Sequence, residues 1–286
     1  MPNSYTGRVD LHTHSTASDG ELTPENLVRY ALERGLCTLA LTDHDTVDGL
    51  DAALQAAQGT TLLVIPGVEL SCDVPHTEVH ILGYFINWRD AYFESMLYKF
   101  RDGRIGRAEK MAKKLSQLGA PITFARVKQI AGDASIGRPH VAQALLEAGH
   151  VATVTEAFDR YIGRNGPAYV ERFRLTPEDA VTLILRAGGV PVFAHPRDVL
   201  QYVAPLAKAG LVGLETYYGP YDAETRKELA RIAGQYGLIT TGGSDFHGLD
   251  KMAHMTLLGE ADVPTTAVTR LQEQAALIKK ENPTST

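Results

Sequence analysis

Asp10-Leu11-His12-Thr13-His14-Ser15-Thr16-Ala17-Ser18-Asp19-Gly20, followed by Leu41-Thr42-Asp43-His44-Asp45, decides how this chain is to be read. His12 and His14 lie two residues apart in an apolar run with Val9 and Leu11 that reads as a strand. Alternate strand residues project to the same side, so both imidazoles face one way. Two histidines with carboxylates close behind form a set that a divalent ion can use. A lone His-x-His pair is a weak signal, and its weight comes from the rest of the chain.

Outward from that stretch, short β-rich runs alternate with helical patterns. The runs are 8–14, 37–43, 61–70, 78–85, 190–195, 212–217, 238–244 and 254–258. Such alternation predicts parallel βα units. Thr23-Pro24-Glu25 and Thr176-Pro177-Glu178 each supply a Thr cap, a Pro at the first helical position and an acid in the first turn. Between residues 91 and 173 the rhythm breaks into helical segments at 100–118, 138–149 and 154–162. The expected architecture is an α/β body over 7–95 and 174–280, interrupted by a helical cap subdomain over 96–173.

Histidines and acids recur at the ends of the strand-like runs. They are His12, His14, Asp19, His44, Glu69, His80, His195, Asp245 and His247. In parallel βα barrels the chemistry collects where the strands end and their loops converge. Six His, two Asp and one Glu are too many for one ion and about right for three. The donor set suits Zn, Mn or Fe rather than Cu(I) or Ca. Cys37 and Cys72 are the two cysteines, and Cys37 reads as a core residue rather than half of a disulfide. The first residues carry no apolar leader and no run is long enough to span a bilayer, which points to a cytoplasmic-type protein.

The net charge of −6 argues against a general nucleic-acid binder, yet it hides an asymmetry. Residues 99–138 carry ten basic and three acidic side chains, a local excess of +7 against −13 for the remainder. An acidic body beside a basic segment suits a small phosphorylated ligand.

Together, Asp10-Leu11-His12-Thr13-His14, Ser18-Asp19-Gly20, Leu41-Thr42-Asp43-His44-Asp45, Gly67-Val68-Glu69, Val79-His80, Ala194-His195-Pro196 and Gly243-Ser244-Asp245-Phe246-His247 resemble the PHP (polymerase and histidinol phosphatase) family. The resemblance spans about residues 8–260 and implies a distorted, amidohydrolase-like (β/α)7 barrel with a trinuclear metal centre, most readily of Mn, with Zn or Fe as alternatives. It implies that His12, His14, Glu69 and Asp245 hold one ion. Glu69 would bridge to a second, completed by His80 and His195, and Asp19, His44 and His247 would hold the third. Such a centre would act by Lewis acidity and a metal-bound hydroxide, with no side-chain nucleophile. Asp43 and Asp45 would orient histidines.

Ser135-Ile136-Gly137-Arg138-Pro139-His140 resembles the Gly-Arg-Pro-His element of the PHP branch that acts on 3′,5′-nucleoside bisphosphates, with related 5′→3′ exoribonuclease activity. The implied reaction is removal of the 3′-phosphate of a compound such as pAp. Arg138 offers a bidentate fork for phosphate, and His140 a hydrogen bond or a proton for the leaving oxygen. Ser135, Arg104, Arg107, Tyr169 and Arg172 complete the expected substrate contacts. Lys110 and Lys114 share a helix edge with Arg104 and Arg107 and read as a solvated face. The expected partner is a nucleotide, with short RNA as an alternative substrate, and neither a membrane nor a stable nucleic-acid complex. Histidinol-phosphate phosphatase is a third reading, and a non-catalytic binding module a fourth that the full ligand set disfavours. His76, His150 and His254 read as structural or exposed.

Overall fold

The computed structural model describes residues 7–75, 77–132, 136–170, 175–249 and 256–281, side chains at 73, 101, 102 and 104 excepted. Ser135, Arg172, His76 and His254 therefore lie outside the described residues, as does the side chain of Arg104. The chain divides into two compact units, one of Met1–Val74, Glu78–Glu94 and Leu175–Thr286, the other of Pro75–Thr77 and Ser95–Arg174.

The first unit is built on a seven-stranded sheet whose spatial order follows the chain: β1 (Arg8–Asp10), β2 (Leu36–Leu41), β3 (Leu63–Val74), β4 (Thr77–Tyr84), β5 (Val190–Phe193), β6 (Gly213–Tyr218) and β7 (Ile239–Gly243). β1, β2 and β3 pair in parallel, and so do β5, β6 and β7. The edges meet beyond β1 and β7, where Leu11 N–H donates to Gly242 O (3.2 Å) and Thr13 bridges Phe246. That contact nearly closes a barrel. Its helices are α1 (Pro24–Glu33) and α2 (Leu50–Ala56) and, after the second unit, α7 (Pro177–Arg186), α8 (Val203–Ala209), α9 (Ala223–Gln235) and α10 (Thr265–Glu281). Thr23 and Thr176 cap α1 and α7, accepting from Asn26 N (3.3 Å) and Asp179 N (3.1 Å).

Two expectations are corrected. β4 runs antiparallel to β5, with Ile81 opposite Phe193 and Tyr84 opposite Val190, so the sheet is mixed. Only two residues separate β3 from β4, too few for a parallel crossover. The run at 254–258 adds no strand in its described part, 256–258, which is loop and turn. Cys37 is half-buried and packs against the core, and Cys72 is fully buried.

The core of this unit fills the barrel and packs against α10. Val9, Leu11, Ala40, Ile65, Leu82, Tyr84, Val192, Val268 and Leu271 belong to one buried cluster. Inside it, the Tyr84 hydroxyl donates to Leu11 O (2.9 Å), which satisfies a polar group that burial would otherwise penalise.

The second unit is helical: α3 (Ala91–Gln117, all but its first residues), α4 (Phe124–Ala131), α5 (Arg138–Glu147), α6 (Val154–Ala157) and a π-helical turn at Phe158–Ile162. α4 was not anticipated, although Thr123 caps it by accepting from Arg126 N (3.1 Å). Met111, Leu115, Val127, Val141, Leu145 and Ile162 give this unit its own core.

Candidate metal centre

Glu69 is the hub of the cluster and is itself fully buried. Its Oε2 lies 3.2 Å from His12 Nε2, 3.2 Å from His14 Nε2 and 3.1 Å from His44 Nδ1. Its Oε1 lies 2.8 Å from His80 Nδ1 and 3.3 Å from His195 Nε2. Asp245 Oδ1 faces the same pair of histidines, at 3.3 Å from His12 and 3.1 Å from His14. Asp19 Oδ1 stands 3.3 Å from His247 Nε2. All nine residues read from the sequence are thus brought together.

The fold explains how. His12 and His14 follow β1 and flank Thr13, whose bridge to Phe246 sets the alternation that points both rings inward. His80 is the fourth residue of β4, and it would lie at the wrong end of a parallel strand. Because β4 is reversed, its beginning lies beside the end of β5, where Ala194 N–H donates to His80 O (3.0 Å).

The donors sort into His12, His14, Glu69 and Asp245; His44, Glu69 and His80; and His14, Asp19, His44 and His247. The first set coincides with one inferred from the sequence. His80 Nδ1 and His195 Nε2, 3.2 Å apart, together face Glu69 Oε1, so the inferred second set is also compact. The expected one-ion assignments of His14 and His44 are looser than anticipated, since each belongs to two sets. Their rings nearly touch, with centroids 4.5 Å apart, and His14 and His247 are stacked at 4.1 Å.

Whether these residues fit divalent ions can be judged from their unmet bonding. His12 Nε2, His14 Nε2, His44 Nδ1 and Glu69 Oε2 are buried and make no hydrogen bond among the described residues, although carboxylates and imidazoles surround them. Buried polar atoms are almost always satisfied, so four orphans converging on one place are the mark of a cation-binding site. The set fits.

Electrostatics agree. Burial alone would lower the pKa of His12 and His14, but Glu69 and Asp245 outweigh it, raising His12 well above its usual range and His14 to about 10. Burial dominates at His44, which is pushed down to about 4 despite Glu69 and Asp19. Glu69, Asp19 and Asp245 are held well below the usual carboxylate range, because the surrounding histidines overcome the cost of burying their charge. Without a cation, protons hold this cluster together.

Several residues escaped the sequence reading. Glu215, buried in β6, places Oε1 3.0 Å from His12 Nδ1 and accepts from His195 N–H through Oε2 (2.6 Å). The Tyr218 hydroxyl donates to Asp245 Oδ2 (3.0 Å). Asp10 accepts from the backbone N–H groups of His12 (3.3 Å), Ser244 (2.9 Å) and Gly259 (2.8 Å), tying β1 to two loops. A carboxylate in an apolar strand was the available signal for Glu215.

Asp43 acts on His14 indirectly: its Oδ1 accepts from Ser15 N–H (2.7 Å) and from the Ser18 hydroxyl (2.6 Å), whose oxygen lies 3.4 Å from His14 Nδ1. Asp45 Oδ1 accepts from Ser71 N–H (2.9 Å), which fixes β3 backbone beside Glu69. Asp45, His195 and Asp245 all have positive φ, at 50°, 29° and 56°. Each has its N–H tied down, to Glu69 O, Glu215 Oε2 and His12 O respectively. Strained backbone of this kind persists only where its surroundings enforce it.

The expected substrate residues of the second unit divide. Arg107 is 8 % exposed and donates from Nε to Val170 O (2.7 Å), which makes it a tether. Tyr169 lies beneath two guanidinium groups, Arg107 at 5.2 Å and Arg138 at 6.0 Å from its ring centre. His140 accepts the Gly137 N–H at Nδ1 (2.9 Å), closing the first turn of α5. An imidazole that accepts at Nδ1 carries its proton on Nε2, so this ring is a neutral donor. His150 bonds Pro121 O (2.9 Å) and is structural.

A nearly closed barrel with a buried His/Asp/Glu cluster of this kind defines a metal-dependent phosphoesterase. The PHP domain family model matches residues 10–161, and the chain belongs to that family. It is 34% identical over 253 residues to the 5′-3′ exoribonuclease Rnm of Salmonella typhimurium, covering 85% of this chain and 86% of that one. It is equally 34% identical over 247 residues to the 3′,5′-nucleoside bisphosphate phosphatase of Chromobacterium violaceum, covering 84% and 87%. Its fold superposes with a TM-score of 0.81 on a Bifidobacterium adolescentis protein assigned as a metal-dependent phosphoesterase, at 31% identity and covering 93% and 96%. No helix among the described residues is long and apolar enough to cross a membrane.

Proposed function

We propose that the protein hydrolyses the 3′-phosphate of 3′,5′-nucleoside bisphosphates such as pAp, giving the 5′-monophosphate and inorganic phosphate. The observation that carries this reading is the turn Gly137–His140, where a guanidinium and a neutral Nε2–H donor open one helix. Such a pair recognises a phosphate beyond the one being cleaved. Divalent ions, Mn by preference, held by His12, His14, Glu69 and Asp245, by Glu69, His80 and His195, and by Asp19, His44 and His247, would supply Lewis acidity toward the 3′-phosphate and lower the pKa of water there.

The chain's own groups do the rest. Glu69 holds two groups of imidazoles at one spacing through its two oxygens. Glu215 sets the His12 tautomer by taking its Nδ1–H, which leaves Nε2 to face the centre. Tyr218 fixes the rotamer of Asp245 and leaves Oδ1 for the histidine side. Arg138 grips the 5′-phosphate, and His140 donates through Nε2 to an oxygen of the same group. Water adds to phosphorus, the P–O3′ bond breaks, and the 3′-oxygen leaves as a hydroxyl.

A second reading, 5′→3′ exoribonuclease action on short RNA, is favoured by the equal identity to an exoribonuclease. The test is phosphate or nucleotide release by Mn-loaded protein from pAp, 5′-AMP, 3′-AMP, histidinol phosphate and a 5′-phosphorylated trinucleotide. Preference for pAp, with 5′-AMP accumulating unchanged, is the expected result. Faster release of mononucleotides from the trinucleotide would replace it with the nuclease reading, and activity confined to histidinol phosphate would refute both.

A further inference from the structure

Arg138 occupies an unfavourable place for a cation. It is the first residue of α5, whose first turn holds no acid, and the partial positive charge of a helix N-terminus repels a guanidinium. Two aromatic rings of the same unit stand against it. Its guanidinium carbon lies 5.6 Å from the centre of the Phe158 ring and 6.0 Å from that of Tyr169. Both distances fall within the reach over which the negative face of a ring attracts a cation, and a planar guanidinium also stacks on such a face.

The segment that carries the rings departs from regular helix. α6 runs into the π-helical turn Phe158–Ile162, where Gly163 N–H reaches five residues back to Phe158 O (2.8 Å). A Cβ at Gly163 would lie 2.5 Å from that carbonyl oxygen, so the closure needs glycine. Beyond it, Ala168 N–H donates to Tyr161 O (2.9 Å) and Tyr169 N–H to Gly166 O (3.0 Å). These bonds fold the chain back and bring Tyr169 to the same guanidinium as Phe158. α3 then pins the returning segment: Lys114 Nζ donates to Tyr169 O (2.7 Å) and Arg107 Nε to Val170 O (2.7 Å). Helical turns of the π type are rare, and they collect at functional sites.

An unsupported arginine samples many rotamers, and binding an anion must freeze them. Rings that already hold the guanidinium plane remove that cost before the ligand arrives. Phe158, Tyr169 and Arg138 are all half-buried rather than enclosed, which leaves the guanidinium accessible to an anion.

We propose that Phe158 and Tyr169 are positioning residues for Arg138: an aromatic clamp, set by the π-helical turn, that fixes the guanidinium plane so that its fork meets the second phosphate of the substrate. The inference rests on the bisphosphate reading for what Arg138 holds. It reassigns Tyr169 from direct substrate contact to the support of another residue.

The test compares Phe158→Leu, which keeps an apolar contact with the core of the unit but loses the ring face, with Phe158→Tyr, which keeps the ring. In Mn-loaded protein the KM for pAp is expected to rise about 3–30-fold in Phe158→Leu, the equivalent of one lost cation–π contact. The kcat should stay within about twofold, because a grip on a remote phosphate is the same in ground and transition states. Phe158→Tyr should restore the wild-type KM. 3′-AMP, which offers no second phosphate, should be handled alike by the wild type and both Phe158 variants. Tyr169→Leu removes the other ring face and should raise the KM for pAp in the same way. A loss shared by pAp and 3′-AMP in Phe158→Leu, or an unchanged KM for pAp in both leucine variants, would overturn the proposal. The clamp is also read without substrate, from the ¹⁵N relaxation of the Arg138 Nε–H group, assigned by its absence in Arg138→Lys. Its order parameter should fall in Phe158→Leu and recover in Phe158→Tyr, and an order parameter that does not change would overturn the proposal. Inactivity toward pAp together with that loss of order would refute the bisphosphate reading and leave the clamp standing.

Discussion

Two metal-facing histidines depend on one carboxylate that is not itself among the candidate ligands. Glu215 orients His12 by its ring and His195 by its backbone, and His12 and His195 meet different oxygens of Glu69. Glutamine in its place keeps one acceptor oxygen but turns an amide N–H₂ toward a second group that also donates. Outer-shell changes of this type lower metal affinity about 10–100-fold. Glu215→Gln is therefore expected to bind Mn that much more weakly in calorimetric titration while keeping its far-UV circular dichroism. Unchanged affinity would show that His12 and His195 are held by packing alone. The nine candidate ligands were legible because they sit in an ordered set of motifs. Glu215 was missed: a single acid in Leu214-Glu215-Thr216 marks a carboxylate in an apolar strand, but not which histidines it serves until its neighbours across the barrel are known.

Strand direction is invisible to periodicity. Side chains alternate with a period of two whichever way a strand runs, so the residues 78–85 announced a strand but not its reversal. The reversal matters because it carries His80 to the end where the other ligands gather. Helix starts were more legible: Thr23-Pro24 and Thr176-Pro177 each declare a cap chemically. The seam between β7 and β1 is where an element, rather than a residue, limits the site. A Cβ at Gly243 would lie 2.4 Å from both Cβ and N of His12, with backbone that cannot move aside. Gly243→Ala is expected to cost about 1–3 kcal/mol of stability, as overpacking does, measured by urea unfolding of the metal-free protein. Because the displaced residue is His12, Mn affinity should fall with it. A variant that loses stability while keeping full affinity would mean the seam relaxes away from the site.

At the scale of the molecule, the site binds either protons or cations, and this sets how stability follows pH. His14 has a folded pKa of about 10 against 6.5 in the unfolded chain, and His12 and His195 are shifted the same way. Their contribution is complete below pH 6.5 and is lost as pH climbs toward 10. Glu69, Asp19 and Asp245 are shifted downward, so theirs is present above about pH 4.5 and is lost on further acidification. His44, with a folded value of about 4, opposes folding below pH 6.5, where the unfolded chain takes up a proton that the folded one refuses. These signs agree on a maximum. The metal-free protein should be most stable near pH 6.5 and should weaken steadily from there to pH 10, as read by thermal melts across that range. Adding Mn should reverse the alkaline limb, because the ion replaces the protons on His12 and His14 and is favoured as they become scarce. Mn titrations at pH 7 in buffers of different ionisation enthalpy should accordingly report net proton release. Absence of release, or a metal-free protein whose stability rises from pH 6.5 to 10, would show that these histidines are neutral before any cation arrives and that the carboxylates are balanced elsewhere.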